Sequence, residues 1–395
     1  MIISKKSVLV ILATVFFIYF SIMMMLTYLP QFLTVLEIES SIITLTMTVF
    51  MFSLFLFPSF IGKYSDKLQN RIYFIFIGTI GMLITIFFLL FTRNIILLNI
   101  EIFIFGFFTS FLTIYLTLFS ELVQDDKKWI SYYNSICSVG NFLGVLMGGI
   151  FIDIFRIQNL FLFSLISFLV GMIFIVFIRE DRNLILSKND IVSRNNDIEF
   201  KNNEIKENNN ISHSIYYSLF FRSFGIIPIV NILVIIMSFY IINNVSIGFL
   251  VGLNPLLQCF IILFIGKIIS DKNIKFIMIM GYTLSIFVII GYIISINFWS
   301  FFLFQVLLSL SYSMFWISTI VYIAQNSTPA NKGRFIGHAT TSIYAGTTVG
   351  GIFFSLLLAA FNSNYYISMS FMILFPILST LSIIFLFKLP KNTFN

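Results

Sequence analysis

MTVFMFSLFLFPSFIGKYSDKLQNRIYFIFIGTIGMLITIFFLLF, residues 47–91, places two long apolar runs on either side of a ten-residue knot, GKYSDKLQNR at 62–71, that carries one acid and three bases. An α-helix rises about 1.5 Å per residue, so roughly 20 apolar residues are needed to cross a ~30 Å hydrocarbon core. Both runs reach that length. The knot therefore reads as the turn between two membrane spans, and the same alternation of apolar run and polar turn repeats along the chain.

Of the 395 residues, 59% are hydrophobic and 10% charged, against about a quarter charged in soluble domains. The runs lack the alternation of barrel strands, so helices are predicted. Spans are predicted over 8–29, 42–61, 72–90, 95–119, 130–152, 160–177, 218–242, 245–267, 276–296, 298–324, 335–361 and 365–387. The expected class is an all-α integral membrane protein with 12 transmembrane helices in two pseudo-symmetric six-helix halves. Asn254 and Pro255 are expected to interrupt the eighth span. The first run is too long for a signal-peptide core and lacks a small-residue cleavage site, so it is predicted to remain as a helix. Cys137 and Cys259 fall inside spans without metal-ligand spacing, and are expected to be small buried apolar residues.

Short cytoplasmic loops carry an excess of Lys and Arg. Twenty of the 23 lysines and arginines fall on one side of these spans, Arg93 and Arg156 on the other, and Arg222 within a span. That split predicts a multi-pass cell-membrane protein with both termini cytoplasmic. It also accounts for the net charge of +7 without a nucleic-acid partner. Membrane lipid and a small-molecule substrate are the expected partners of a monomer.

Residues 180–214 form the long hydrophilic segment, rich in Asn, Lys and Glu, and too poor in apolar residues to build a core. It is predicted to be a cytoplasmic linker between an N-terminal half, 1–179, and a C-terminal half, 215–395. His213 within it is expected to be solvated. The halves echo each other. KKWISYYNSICSVGNFLGVLMGGIF at 127–151 matches NKGRFIGHATTSIYAGTTVGGIF at 331–353, with Gly144 answering Gly346 and the pair Gly148–Gly149 answering Gly350–Gly351. GKYSDK at 62 is answered by GKIISDK at 266. Duplicated halves of this kind suit a transporter whose halves rock about a site near the bilayer midplane.

Gly62, Asp66, Lys67 and Arg71 resemble the loop 2–3 signature of the major facilitator superfamily, Gly-x-x-x-Asp-Arg/Lys-x-Gly-Arg/Lys-Arg/Lys, with Gln69 in place of the second glycine and Asn70 in place of one base. The resemblance, with the twelve spans and the half-repeat, extends over nearly the whole chain. It implies a latch on the cytoplasmic side. Gly62 permits close backbone approach, and Asp66 faces the N-terminus of the eleventh helix near Arg334, where the helix dipole favours an anion. Asp271 makes the mirror contact with the fifth helix near Ser131, while Lys67, Arg71 and Glu121 complete the cluster.

The ladder Gly140-x-x-x-Gly144-x-x-x-Gly148-Gly149 puts small residues on one helix face, which favours close helix contact. It is also similar to the antiporter signature of drug-exporting members of the superfamily, with Val145 where those have proline. The resemblance implies efflux, with an uptake symporter or facilitator for a small nutrient as the alternative. Glu101 and Arg222 are the candidate coupling residues, because an ionisable group within a span is costly and usually functional. The family's fourth-helix arginine is absent, with Ile102 in its place. A proton gradient is the expected energy source, and no cofactor is expected.

In the implied fold, helices one, four, seven and ten line the cavity. Gln305, Ser309, Tyr312 and Trp316 share a face of the tenth span, and Glu101, Phe108 and Tyr115 share one of the fourth. Tyr28, Gln31 and Asn231 complete the candidate lining. Aromatic walls with few charges suit an amphipathic or neutral solute. Asp153 and Arg156 past the fifth span, and His338 in the eleventh, are expected to be structural. Two histidines and no metal-ligand cluster argue against a membrane enzyme. A non-transporting receptor or scaffold on the same fold is the alternative of another class.

Overall fold

The computed structural model describes residues 5–68, 71–123, 127–175, 177, 211–270, 272–327 and 329–387. Those residues are helical, with no strand among them. Twelve passes are formed. α1 spans Lys5–Val35; α2 is split into α2a, Ser40–Leu56, and α2b, Pro58–Leu68; α3 spans Arg71–Leu89; and α4 is split into α4a, Ile95–Thr109, and α4b, Leu112–Leu122. α5, Lys127–Phe155, and α6, Leu160–Ile175, complete the first set. In the second set, α7 is split into α7a, Ser214–Asn231, and α7b, Leu233–Ser238; then follow α8, Asn244–Ile268, α9, Ile274–Ile294, α10, Phe298–Gln325, and α11, Pro329–Ala360. α12 comprises α12a, Tyr365–Met372, α12b, Leu374–Leu381, and a π-helical turn, Ser382–Leu386.

Eleven of the passes are long and apolar enough to cross a membrane. α7 is the exception, because it carries Arg222 and is broken at Ile232, with a cap backbone outside helical geometry. The expected interruption of the eighth span does not occur. α8 runs unbroken through Pro255, and the neighbouring Asn254 carbonyl accepts a hydrogen bond from Ser309 Oγ at 3.3 Å.

Because a bilayer core offers no water to backbone groups, each span must satisfy them internally. The hydroxyls follow suit: Thr14, Thr79 and Thr319 each donate to the carbonyl one turn back. On the face away from the chain's basic turns, asparagines start the helices. Asn94 caps α4a, Asn243 caps α8, Asn297 caps α10 in a capping box with Ser300, and Asn364 caps α12a. Such caps satisfy the free N–H groups of a first turn without adding charge. Large apolar side chains cover the outside, among them Phe91, 70% exposed, and Trp299, 73% exposed, a surface suited to lipid.

The repeat seen in the sequence is also a repeat of packing. α1 packs on α5 and α6 as α7 packs on α11 and α12, and α2a packs on α4a as α8 packs on α10. The glycine ladders make the first of these contacts close. A methyl group on Gly144 would press into the Phe20 carbonyl of α1, and one on Gly346 into the Phe220 carbonyl of α7a. Gly140 and Gly350 stand in the same relation to Phe16 and Phe224. The linker expected over 180–214 lies outside the described residues as far as position 210.

Candidate functional site

The two sets of six helices meet mainly along α5 with α8 and α2a with α11. On the face away from the basic turns these crossings are sealed. Asp153, at the end of α5, accepts from the Asn244 and Val245 backbone N–H groups at 3.3 and 3.2 Å, and from Asn244 Nδ2 at 2.6 Å. A carboxylate there faces the positive end of the α8 dipole. Gln31 Nε2 donates to Asn244 Oδ1 at 2.9 Å, and the Tyr28 hydroxyl donates to the Val145 carbonyl at 3.0 Å. Gly149 lies against the Asn244 carbonyl and Gly248 against the Tyr28 hydroxyl. At the second crossing Gly351 lies against Thr48, Ser355 Oγ donates to the Ser41 carbonyl at 2.7 Å, and the Ser40 and Tyr365 hydroxyls are hydrogen-bonded.

Toward the basic face the same helices part. Gly62, Gly266, Gly333 and Gly337 have open space where a side chain would be. A cleft of about 410 Å³ separates α5 from α8 and α10, and a second of about 380 Å³ separates α2b and α4b from α11. Ser131, Asn134, Ser135 and Ser138 line the first cleft on α5, opposite Gln258 and Cys259 of α8 and Tyr312 and Trp316 of α10. Arg71, Thr113, Thr117, Thr340 and Tyr344 line the second. Both mix aromatic, hydroxyl and apolar groups, and among the described residues no Asp or Glu lines either.

Three tyrosines connect these walls. Tyr19 of α1, Tyr344 of α11 and Tyr312 of α10 lie near one another in the order Tyr19–Tyr344–Tyr312. Tyr19 also lies against α5, near Gly140, Tyr133 and Cys137. Behind Tyr312 lies Arg222, 3% exposed. Its Nε donates to Ser285 Oγ at 2.9 Å, Ser285 Oγ is 2.7 Å from Ser311 Oγ, and Ser311 Oγ donates to the Gly281 carbonyl at 2.8 Å. The guanidinium lies 4.0 Å from the Phe315 ring centroid and 5.9 Å from that of Tyr312.

Two sealed crossings, two clefts opening to the other face, and a polar aromatic centre between repeated bundles form the frame of a transporter. A family profile described as Major Facilitator Superfamily matches residues 11–224 and again 215–394, one match for each half. The chain belongs to the Major Facilitator Superfamily. Among solved structures it is similar to the nucleoside transporter NupG, with a TM-score of 0.76 and 14% identity, covering 97% of this chain and 100% of that one. The peptide transporter POT in complex with sulfate aligns with a TM-score of 0.74 and 11% identity, over 96% and 94% of the two chains. The POT family transporter PepTSo aligns with a TM-score of 0.73 and 13% identity, over 96% of each. At such identities the likeness speaks to the fold. No curated protein matches the sequence.

Within this superfamily frame, the residues expected to form the cavity divide into four groups. Tyr312 and Trp316 line the first cleft, and Ser309 lies beside them, its Oγ 3.0 Å from Asn254 Oδ1. Gln305, deeper on the same face of α10, is buried with its Oε1 unpartnered among the described residues. Tyr28 and Gln31 belong instead to the sealed crossing. α1 stays helical to Val35, and this carries both past the open half of the molecule. Glu101, Phe108 and Tyr115 do share a face, but it is the face toward α3 and its loop. Thr92 Oγ1 donates to Glu101 Oε1 at 2.7 Å, the Phe108 ring fills the space over Gly81, and the Tyr115 and Thr79 hydroxyls are 2.7 Å apart. A seven-residue spacing shows that side chains lie together, not which neighbour they face. Asn231 ends α7a beside the break and lines neither cleft.

The residues expected to form the latch are described in part. Gly62 and Arg71 line the second cleft, with Arg71 Nη1 donating to Ser65 Oγ at 2.9 Å; Lys67 and Arg334 are exposed. Asp66 and Glu121 lie on α2b and α4b with side chains outside the described set, and Asp271 lies outside the described residues. Arg222 is buried within its own half rather than reaching the surface. Cys137 and Cys259 both line the first cleft, so they are not merely core residues. Asp153, expected to be structural, bridges the two halves, whereas Arg156 is exposed at a left-handed φ of 68°. His338 faces a third cleft with Tyr216 and Arg334. The α5 lining was overlooked in favour of its glycines, although Ser131, Asn134, Ser135 and Ser138 recur at i, i+3, i+4 and i+7, the spacing of one helix face.

Proposed function

We propose that this transporter carries a small amphipathic or neutral solute by alternating access, and that the structure represents the state open to the basic, cytoplasmic face. The carrying observation is the contrast between the two ends of the same crossings, hydrogen-bonded shut around Asn244 and Thr48 and parted around Gly62 and Gly337. Closing the basic face would bring α2b and α8 to the starts of α11 and α5, where Asp66 and Asp271 are proposed to act as a paired latch. The solute would rest among Tyr19, Tyr312 and Tyr344, between the clefts.

The glycine ladder supports export. A second reading, uptake of a small nutrient, is supported by the nucleoside and peptide transporters that share the fold, and by Val145 where the exporter signature has proline. For coupling, Glu101 is the buried acid among the described side chains, and one of its oxygens has no partner there. It is the proposed proton carrier, acting at the α3–α4 turn and not in the clefts. The test is uptake and efflux in oriented vesicles, using nucleosides, dipeptides and amphipathic dyes, with and without an imposed proton gradient. Accumulation of none of them, in either direction, would reject transport of this solute class. Gradient dependence retained in Glu101→Gln would move coupling to another residue.

A further inference from the structure

Arg222 is a full positive charge, since a guanidinium keeps its proton at any ordinary pH, yet it sits nine-tenths buried inside a membrane helix bundle. Buried charges are usually paired. Four acids have described side chains: Glu37, Glu39 and Asp153 are exposed on the sealed face, and Glu101 is held by Thr92 in the other half. None of them pairs with Arg222. What holds the guanidinium is Ser285 at Nε and the faces of Phe315 and Tyr312, contacts that orient a cation and leave its charge uncancelled. Beyond Tyr312 lies the cleft of α5, α8 and α10, and beyond Tyr344 the cleft of α2b, α4b and α11. Among the described side chains the charges on their walls are Arg71, which has partners of its own, and, in the neighbouring cleft, Arg334. Among the described side chains, the centre of the molecule is therefore a low-dielectric region with hydroxyl donors, one buried cation and no acid on its walls.

We propose that the Tyr312–Tyr344 wall is an anion-selective subsite whose charge is supplied by Arg222, and that it takes the carboxylate of an otherwise apolar solute. This rests on the transport reading and narrows it to amphipathic carboxylates. The carboxylate accepts from the tyrosine hydroxyls, while its tail lies along Trp316 and the apolar stretch of α8, Ile262 and Leu263. A cationic solute meets the same charge as repulsion. Arg222 acts from behind Tyr312, so it determines specificity without lining the cleft.

The experiment reads binding and does not need transport, so its failure is separable from failure of the transport reading. Trp316→Cys in a Cys137→Ala, Cys259→Ala background gives a single thiol, labelled in purified protein by a neutral methanethiosulfonate. Octanoate and octanol, equal in chain length, are the competing probes. Octanoate is expected to protect the thiol at a concentration on the order of tenfold lower than octanol, the scale of one nearby charge at intermediate dielectric. That advantage is expected to vanish in Arg222→Gln and to persist in Arg222→Lys. Equal protection by the two probes in the protein that retains Arg222 overturns the proposal, whatever the variants do. So does an octanoate advantage that survives Arg222→Gln with an unchanged labelling rate in the absence of probe.

Discussion

At Gly144 and Gly346 the added methyl of an alanine would run into a backbone carbonyl, of Phe20 or Phe220, which has no rotamer with which to yield. Overpacking of that kind costs about 1–3 kcal/mol, so either alanine variant is expected to lower the melting temperature in detergent. Gly62 is a control of the opposite sense. It lies within α2b with nothing near its would-be Cβ, and alanine there gains up to about 1 kcal/mol of helix propensity. Gly62→Ala is expected to leave thermal stability unchanged or raised, yet to slow transport if the closed basic face needs close approach at that point. An unchanged rate would remove Gly62 from the latch. Asp153 belongs to the same scale. An anion at a helix N-terminus contributes roughly 0.3–1 kcal/mol when exposed, so Asp153→Asn should raise labelling of Val245→Cys from the sealed face by a few-fold. No change would mean that the carboxylate does not hold that face shut.

At the scale of helices, the spans were legible because an apolar run of membrane length has few other uses, and the repeat because glycines recur where two backbones touch. Gly140, Gly144, Gly346 and Gly350 carry that signal in one dimension. What the chain did not disclose was the rotation of each helix about its axis. Tyr115 and Phe108 recur with the spacing of cavity residues, but their partners Thr79 and Gly81 are on α3. Pro255, which looked like a break, lies inside one continuous helix, Asn244–Ile268. The resemblance implied that the second helix meets the eleventh and the eighth meets the fifth, but the residues that seal those crossings were hidden, since Asn244 and Thr48 announce nothing until the halves are apposed. A single substitution checks their role. Gly351→Leu places a branched side chain against Thr48, and is expected to hold the crossing apart and make Thr48→Cys reactive to impermeant reagent, without loss of the folded helix bundle by circular dichroism.

For the whole molecule, the account makes one claim from which the others depend: the two six-helix units pivot about the α5–α8 and α2a–α11 crossings, so that one face is closed whenever the other is open. In the proposed topology the basic turns mark the cytoplasmic face, and the proposed solute position is the tyrosine centre. The most direct test is a pair of distances in the same protein, by double electron–electron resonance in lipid. One pair of spin labels replaces Lys67 and Arg334 across the basic face, and the other replaces Glu39 and Asn362 across the sealed one; all four positions are exposed. The account predicts two populations for each pair, long on the basic face whenever short on the other, with Asp153→Asn shifting both in opposite directions. A single unchanging distance at each face, or lengthening at both together, would contradict it.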